Sequence, residues 1–302
     1  MSIQIEQQND KWVKCISGTG TIRAIAVTAT DAANLLSQRH GLLPPGTKAL
    51  AESLIAGLLL SSYCKSGEKV NLNIQGSGWC HQAIIDANAD AEIRGYVMER
   101  PAEDIQLARN TGPWGIGLLS VLRTKFDEAK PYIGTVPLLT GHLAKDLTFY
   151  WLQSEQVNSA VGIEVFMKGG RVELAEGFLI QAMPGAGEAD IQLIEEHLKK
   201  LHQFDSQANL RSTPTKLLSY LLEHQSFSVI EEKPLTVKCP CTLDRVKRSL
   251  MLIGEAEIRS MIAESKNFEI DCDFCSEHYI FTSAMLTDLL TDLLRGTGTG
   301  NT

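Results

Sequence analysis

Four cysteines near the C-terminal end of the chain fall in two short pairs: Cys239 and Cys241 in "KCPCTLDR", and Cys272 and Cys275 in "DCDFCSEHYIF". Thiolate sulfur is a soft ligand, and four thiolates brought together make a tetrahedral zinc site with Zn–S distances of about 2.3 Å. Each short pair supplies one edge of the tetrahedron. Pro240 stiffens the first edge, because it fixes its own φ and biases Cys239 towards extended backbone. His278, three residues after Cys275, offers a competing nitrogen. With four sulfurs present it is expected to stay outside the ligand set. The expectation is one zinc per chain in the reduced protein, held by Cys239, Cys241, Cys272 and Cys275.

These sulfurs need elements that converge. The insert "TLDRVKRSLMLIGEAEIRSMIAESKNFEID" reads as helical, with Thr242 able to cap a first helix and Gly254 able to end it and start a second. "NFEID" and "HYIFT" read as short strands flanking the C-x-x-C turn. The spacing favours a zinc clip for a module too small to stand easily on its own core, and leaves a redox switch open. A thioredoxin-like oxidoreductase fits less well, because its C-x-x-C opens a helix. A nucleic-acid ribbon is disfavoured by six Lys/Arg against ten Asp/Glu from Cys239 to Arg295, a net of −4.

The rest of the chain narrows the class. Net charge is −8 over 302 residues, which repels phosphate backbones, so no nucleic-acid partner is expected. "MSIQIEQQNDKWVK" has no apolar signal core, and "LIAGLLL" (Leu54–Leu60) is too short to span a bilayer. A soluble, cytoplasmic protein without membrane partners is expected. Seven cysteines without a secretory signal argue against a disulfide framework, and Cys15, Cys64 and Cys80 read as small core residues. "NTGPWGIG" lacks the lysine of a phosphate loop and reads as a turn. No serine nucleophile elbow or catalytic carboxylate pair is present, and the remaining histidines have no metal-like spacing. The chain does not read as an enzyme.

The fold class reads as α+β. "TDAANLLSQRHGLLPPGTKALAESLIAGLLLSSYC" predicts two helices broken at Pro44-Pro45, the first capped by Thr30 or Asp31. "KVNLNIQG" alternates as a half-buried strand, "CHQAIIDANADAEIRGYVM" as two strands turning near Asn88 to Asp90, and Gly169-Gly170 marks a hairpin. After Pro184, "GAGEADIQLIEEHLKKLHQF" places Ile191, Ile194, Leu198 and Leu201 on one helical face. "STPTKLLSYLLEHQ" predicts a second helix, with Ser212 or Thr213 as cap and Pro214 near its first position. Such short helices need a surface to lie on. The organisation expected is an N-terminal core domain over 1–184, a helical metastable linker over 185–238, a four-cysteine domain over 239–295 and a flexible tail over 296–302.

The C-x-C…C-x-x-C set followed by "SEHYIF" resembles the C-terminal redox domain of the heat shock protein 33 family, redox-regulated holdase chaperones. "LTFYWLQSEQVNSAVGIEV", with Ser154-Glu155-Gln156, "GFLIQAMPGA", "NLNIQGSG" and "EIRGYV" are also similar to family segments. The likeness runs from about Thr21 to Leu294, with Trp79 where proline is expected and Glu176 where glycine is usual.

The resemblance implies an ATP-independent chaperone, inactive when reduced and zinc-bound. Oxidation would then form disulfides within the pairs, Cys239–Cys241 and Cys272–Cys275, release zinc and unfold the small domain. The linker would detach, and its apolar stripe of Ile191, Ile194, Leu198 and Leu201 and the surface beneath would bind unfolding client proteins. The resemblance further implies a homodimer when oxidised and hand-over of clients to ATP-dependent foldase chaperones. The competing readings are a thiol-disulfide oxidoreductase using Cys272 and Cys275, and a constitutive interaction module with an inert zinc clip.

Overall fold

A computed structural model of the chain describes residues 3–101, 113–125, 131–189, 191–192, 194–196, 213–223, 226–264 and 266–297. The fold is α+β. Its contacts divide it into a large unit, Ile5–Val237, and a small unit of Lys238–Thr302 grouped with Met1–Gln4.

The large unit is built on a ten-stranded sheet of β1 (Ile3–Ser17), β2 (Ile22–Thr28), β3 (Lys69–Gly76), β4 (Cys80–Asn88), β5 (Glu92–Glu99), β6 (Gly117–Thr124), β7 (Tyr132–Leu138), β8 (Ser159–Lys168), β9 (Arg171–Ala182) and β10 (Phe227–Cys239). The strand order is β7-β6-β3-β4-β5-β10-β1-β2-β9-β8. Strict alternation aims one side of each strand inward: Val70, Leu72 and Ile74 from β3 meet Ala83, Ile85 and Ala87 from β4 in one core. The expected strands and both turns are present. The hairpin between β8 and β9 turns at Gly169 (φ 58°) and Gly170 (φ 82°), a backbone that side chains resist.

Helices α1 (Thr30–His40) and α2 (Pro44–Ser61) pack on the inner face, α2 beginning at the expected Pro44-Pro45. Fourteen residues of α2 are buried, which explains why "LIAGLLL" is apolar all round: it is a core helix. Gly57 lets it close on the sheet, since a Cβ there would lie 2.6 Å from Ile85 Cγ2. The cap of α1 differs from expectation. Neither Thr30 nor Asp31 caps the helix; Asp10 of β1 does so from a distance, its carboxylate accepting from the amides of Thr30 and Ala32, each at 2.8 Å. Thr30 lies inside the helix, and its hydroxyl accepts instead from the Ala175 amide of β9 at 2.9 Å. A tertiary carboxylate satisfies the helix end, leaving the local hydroxyl to tie α1 to the sheet.

Helix α3 (Leu143–Tyr150) continues into a π-helical turn, Trp151–Glu155. Within Ser154-Glu155-Gln156, Glu155 pairs with Arg123 at 3.0 Å and accepts from the Tyr150 hydroxyl at 2.9 Å, and Gln156 ends the turn at φ 56°. The triplet thus anchors the chain as it enters β8.

The outer face of β1, β2 and β9 is also apolar. Val13, Cys15, Ile22, Ala24, Ala26, Phe178 and Ile180 are covered by Ile194 and by Leu217, Leu218, Leu221 and Leu222. The last four come from helix α4 (Pro214–Leu221) and its C-cap, with Thr213 as the side-chain N-cap and Pro214 at the first position, as the sequence predicts. The helical reading of 185–238 fails at its far end. Phe227–Cys239 is β10, inserted between β5 and β1, with Thr236 and Val237 pairing in parallel with Glu92 and Ile93. Leu235 and Val237 are buried in the inner core, and burial of these two apolar side chains outweighs the charged stretch before them.

By alternation with Phe178 and Ile180, Glu176 of β9 lies on the outer face, where it is 2% exposed. Burial raises its carboxyl to about 8, so the folded state holds a proton there that the unfolded chain releases near 4.5. The stability from this proton is complete below about pH 4.5 and is lost as pH rises through about 8. Glu176→Gln is therefore expected to be more stable than wild type at pH 8.5, by on the order of a few kcal/mol, with the gap closing towards pH 5. Urea midpoints at both pH values check this; equal pH dependence in the two proteins would refute the assignment.

The small unit contains α5 (Leu243–Ile253), α6 (Glu255–Ala263), a two-stranded sheet of β11 (Phe268–Asp271) and β12 (His278–Phe281), and α7 (Ser283–Thr297). The expected tail is shorter than 296–302, because α7 runs to Thr297.

Candidate metal centre

Each sulfur is positioned by local chemistry the sequence carries. The extended backbone of β10 delivers Cys239, and Cys241 follows just before Thr242, whose side chain accepts from the Arg245 amide at 3.2 Å and starts α5. Gly254 (φ 95°, ψ 168°) ends α5 and opens α6 in a conformation that favours glycine. Antiparallel pairing of β11 with β12, from Phe268↔Phe281 to Asp271↔His278, closes the turn carrying Cys272 and Cys275. Within that turn the amides of Cys275 and Ser276 both donate to the Cys272 carbonyl, at 3.2 and 2.7 Å.

All four predicted ligands come together: the sulfurs of Cys239, Cys241, Cys272 and Cys275 lie within 4.8 Å of one another. Cys239 and Cys272 are 3.8 Å apart and Cys241 and Cys275 are 3.3 Å apart, so the nearest sulfurs belong to different pairs. No disulfide joins any of the seven cysteines. A zinc ion with four sulfurs at about 2.3 Å requires sulfur–sulfur edges of about 3.8 Å, so the cluster has the size and donor set for zinc. Cys272 is partly exposed and the other three sulfurs are buried.

The electrostatics point the same way. The Cys272 thiol is pushed up, first by its hydrogen bond with Cys239 and then by burial. Cys275 is pushed up to about 12, first by burial and then by its bond with Cys241. Negative charges gathered in an apolar shell repel one another, and a divalent cation offsets that repulsion. The shell consists of Leu250, Ile258, Tyr279, Phe281, Leu286, Leu289 and Leu290. His278 stays outside: its side chain is 46% exposed, and Nδ1 sits 2.7 Å from Asp271 Oδ1. That hydrogen bond is the main cause raising the imidazole above its ordinary range.

Other candidate residues are placed as follows. Cys15 and Cys80 are buried and Cys64 is partly buried, and desolvation raises all three thiols, as for inert core cysteines. Ile194 is buried on the outer face and Ile191 is 37% exposed; together they border a groove of about 340 Å³ lined also by Ile22, Leu152 and Ile180. Leu198 and Leu201 lie outside the described residues. The sequence reading did not single out the apolar face beneath α4 or the aromatic and leucine shell of the sulfurs. In α7 the signal was legible, as Leu286, Leu289, Leu290 and Leu293 follow helical spacing.

Fold and site together define a sheet-based α+β protein carrying a four-thiol cluster with the geometry to hold a metal ion. Residues 10–282 match the model of the family described as Hsp33 protein, and the chain belongs to that family. Among its relatives, the 33 kDa chaperonin of Geobacter sulfurreducens is 34% identical, over 93% of this chain and 94% of that protein. The 33 kDa chaperonin of Citrifermentans bemidjiense is 33% identical, over 96% and 99%. The crystal structure of a 33 kDa chaperonin from Thermotoga maritima superposes with a TM-score of 0.81 at 24% identity, over 95% of this chain and all of that one, and supports the fold. No helix among the described residues is long and apolar enough to cross a membrane.

Proposed function

We propose that this protein is a redox-regulated, ATP-independent chaperone of the cytoplasm, whose activity is binding rather than turnover. The carrying observation is the convergence of four unbridged sulfurs within 4.8 Å from two remote pairs, in a chain whose relatives are named chaperonins. Cys239, Cys241, Cys272 and Cys275 hold one zinc in the reduced protein, and the metal, when bound, keeps them as thiolates at neutral pH. A thiolate attacks peroxide to give a sulfenic acid and hydroxide; a second thiolate attacks that sulfur, forms the disulfide and expels hydroxide. Each disulfide removes two ligands. As the small unit opens, closure of the shortest rings favours Cys239–Cys241 and Cys272–Cys275, although the reduced cluster also brings Cys239 near Cys272.

Opening of the small unit is coupled to release of segment 185–226. The released segment and the face of Val13, Cys15, Ile22, Ala24, Ala26, Phe178 and Ile180 then present apolar surface to unfolding clients. The oxidised protein acts as a homodimer and hands its clients to ATP-dependent foldases; neither nucleic acid nor membrane is a partner. Light scattering of a heat-denatured client tests this. Peroxide-treated protein is expected to suppress aggregation near stoichiometry, and reduced zinc-loaded protein to leave it unchanged. Equal effects of the two forms would reject redox regulation, and inactivity of both would reject chaperone function.

A further inference from the structure

Where the C-terminal end of α2 meets β1, β10 and the turn between β4 and β5, the large unit holds a polar cavity of about 210 Å³. That is several times a single water's share of about 30 Å³. Three lysines, Lys14, Lys65 and Lys233, and two carboxylates, Asp90 and Glu231, line it, a net of +1. Lys233 engages both acids: its ammonium lies 2.6 Å from Glu231 and 4.0 Å from Asp90, and it donates to the Ala89 carbonyl at 2.5 Å. Among the described residues neither Lys14 nor Lys65 forms an ion pair, and the Lys14 ammonium has only the Ser62 carbonyl, at 3.4 Å. Ser62 also lines the cavity and is 3% exposed. Its hydroxyl is fully buried and has no hydrogen-bond partner among the described residues. Such a hydroxyl costs stability that an alanine would not. Lys65 and Ser66, both exposed, stand at the mouth.

We propose that this cavity binds a phosphoryl group, with the Lys14 and Lys65 ammoniums and the Ser62 and Ser66 hydroxyls as its donors. All four uncommitted groups can donate, and lysine binds phosphate as a compact point charge. A phosphoryl group presents its oxygens tetrahedrally and takes donors from several directions, whereas a carboxylate takes them in one plane. The donors here come from β1 on one side and from the chain after α2 on the other. Burial and then the Arg23 guanidinium press the Lys14 ammonium towards its neutral form, and a dianion beside it offsets both. The carbonyl end of α2 carries only about half a negative charge, less than the two ammoniums bring. The bound group also gives the Ser62 hydroxyl its partner. Because it ties β1 to the end of α2, beside the Glu231–Lys233 pair of β10, it stabilises the large unit. The site is independent of the cysteine cluster.

The test titrates inorganic phosphate into the full-length reduced protein by isothermal calorimetry at constant ionic strength. Wild type is compared with Lys14→Gln, Lys65→Gln, Ser62→Ala and, as a control, Lys168→Gln, an exposed lysine of β8. Folding is checked by far-UV circular dichroism. The expected result is one saturable site per chain in wild type and Lys168→Gln. Affinity should fall roughly tenfold or more in Lys14→Gln, the equivalent of one charge-assisted hydrogen bond, and roughly two- to tenfold in Lys65→Gln and Ser62→Ala. Glycerol phosphate is titrated in parallel: tighter binding than inorganic phosphate identifies a phosphate ester as the ligand, weaker binding the free ion, and either supports the site. Absence of saturable binding of both probes by wild type would overturn the proposal, as would an equal loss in Lys168→Gln. If Lys14→Gln does not fold, the exposed Lys65→Gln and the small change Ser62→Ala decide: wild-type affinity in both rejects the site.

Discussion

Reduced, zinc-loaded Leu218→Asp protein is expected to suppress client aggregation nearly as well as the peroxide-treated wild type. Leu218 is fully buried on α4, against the face formed by Ala24, Ala26 and Phe178. α4 is only eight residues long and has little helical stability of its own. It stays in place by burying Leu217, Leu218, Leu221 and Leu222, each stabilising by at most about 1.5–3 kcal/mol. An aspartate there loses one of these contributions and places an unpaired charge in a dry contact, at a cost of several kcal/mol. The sum is comparable to everything that holds α4 down, so the segment should leave without any sulfur chemistry. Ser219→Asp, on the exposed side of the same helix, should remain silent. Leu218→Asp that loads zinc, loses hydrogen-exchange protection in α4 and still gives no suppression would mean that bare apolar surface is insufficient, and that the oxidised cysteine unit contacts clients itself.

Cys275→Ser is expected to abolish zinc binding and melt the small unit while leaving the large one intact. A structural zinc contributes on the order of 10 kcal/mol or more to the folding of a small module. Without it, α5, α6 and α7 rely on a small core built around Leu250, Ile258, Tyr279, Phe281, Leu286, Leu289 and Leu290, and a core in a unit of this size rarely supplies more than about 3–5 kcal/mol. Metal analysis and hydrogen exchange read both halves of the claim. Amides of α5–α7 should exchange freely, whereas Val70 to Ile74 of β3 should keep wild-type protection. Full zinc retention would remove Cys275 from the ligand set, and protected α5–α7 without metal would show that the clip is dispensable.

What could be read beforehand follows a physical divide. Features decided by local chemistry were legible: the Pro44-Pro45 break, the Gly169-Gly170 hairpin, the Thr213 and Thr242 caps, and Gly254 between two helices. The convergence of the four cysteines belongs with them, because short cysteine pairs are a local pattern even when the pairs are far apart. Features decided by distant partners were not. Asp10 caps a helix twenty residues away, which no window around Thr30 reveals. β10 was hidden by Glu231-Glu232-Lys233-Pro234, which breaks the alternation just before the two inward residues that matter, Leu235 and Val237.

The insertion of β10 into the sheet has a topological consequence. Ala182 ends β9 and Phe227 begins β10, so segment 183–226 is fastened at both ends to the same sheet. A segment released as proposed would therefore be a closed loop and never a free arm. Its ends stay registered, and the cost of re-docking is the slowly growing entropy of closing a loop. The effective concentration of α4 over its own docking face then stays near the millimolar range, whatever the protein concentration. On the proposed function, a bound client would therefore compete continuously with a tethered rival. Under the same proposal, that rivalry would set how quickly the client is expelled once the thiolates are restored, with the loop as a built-in return spring.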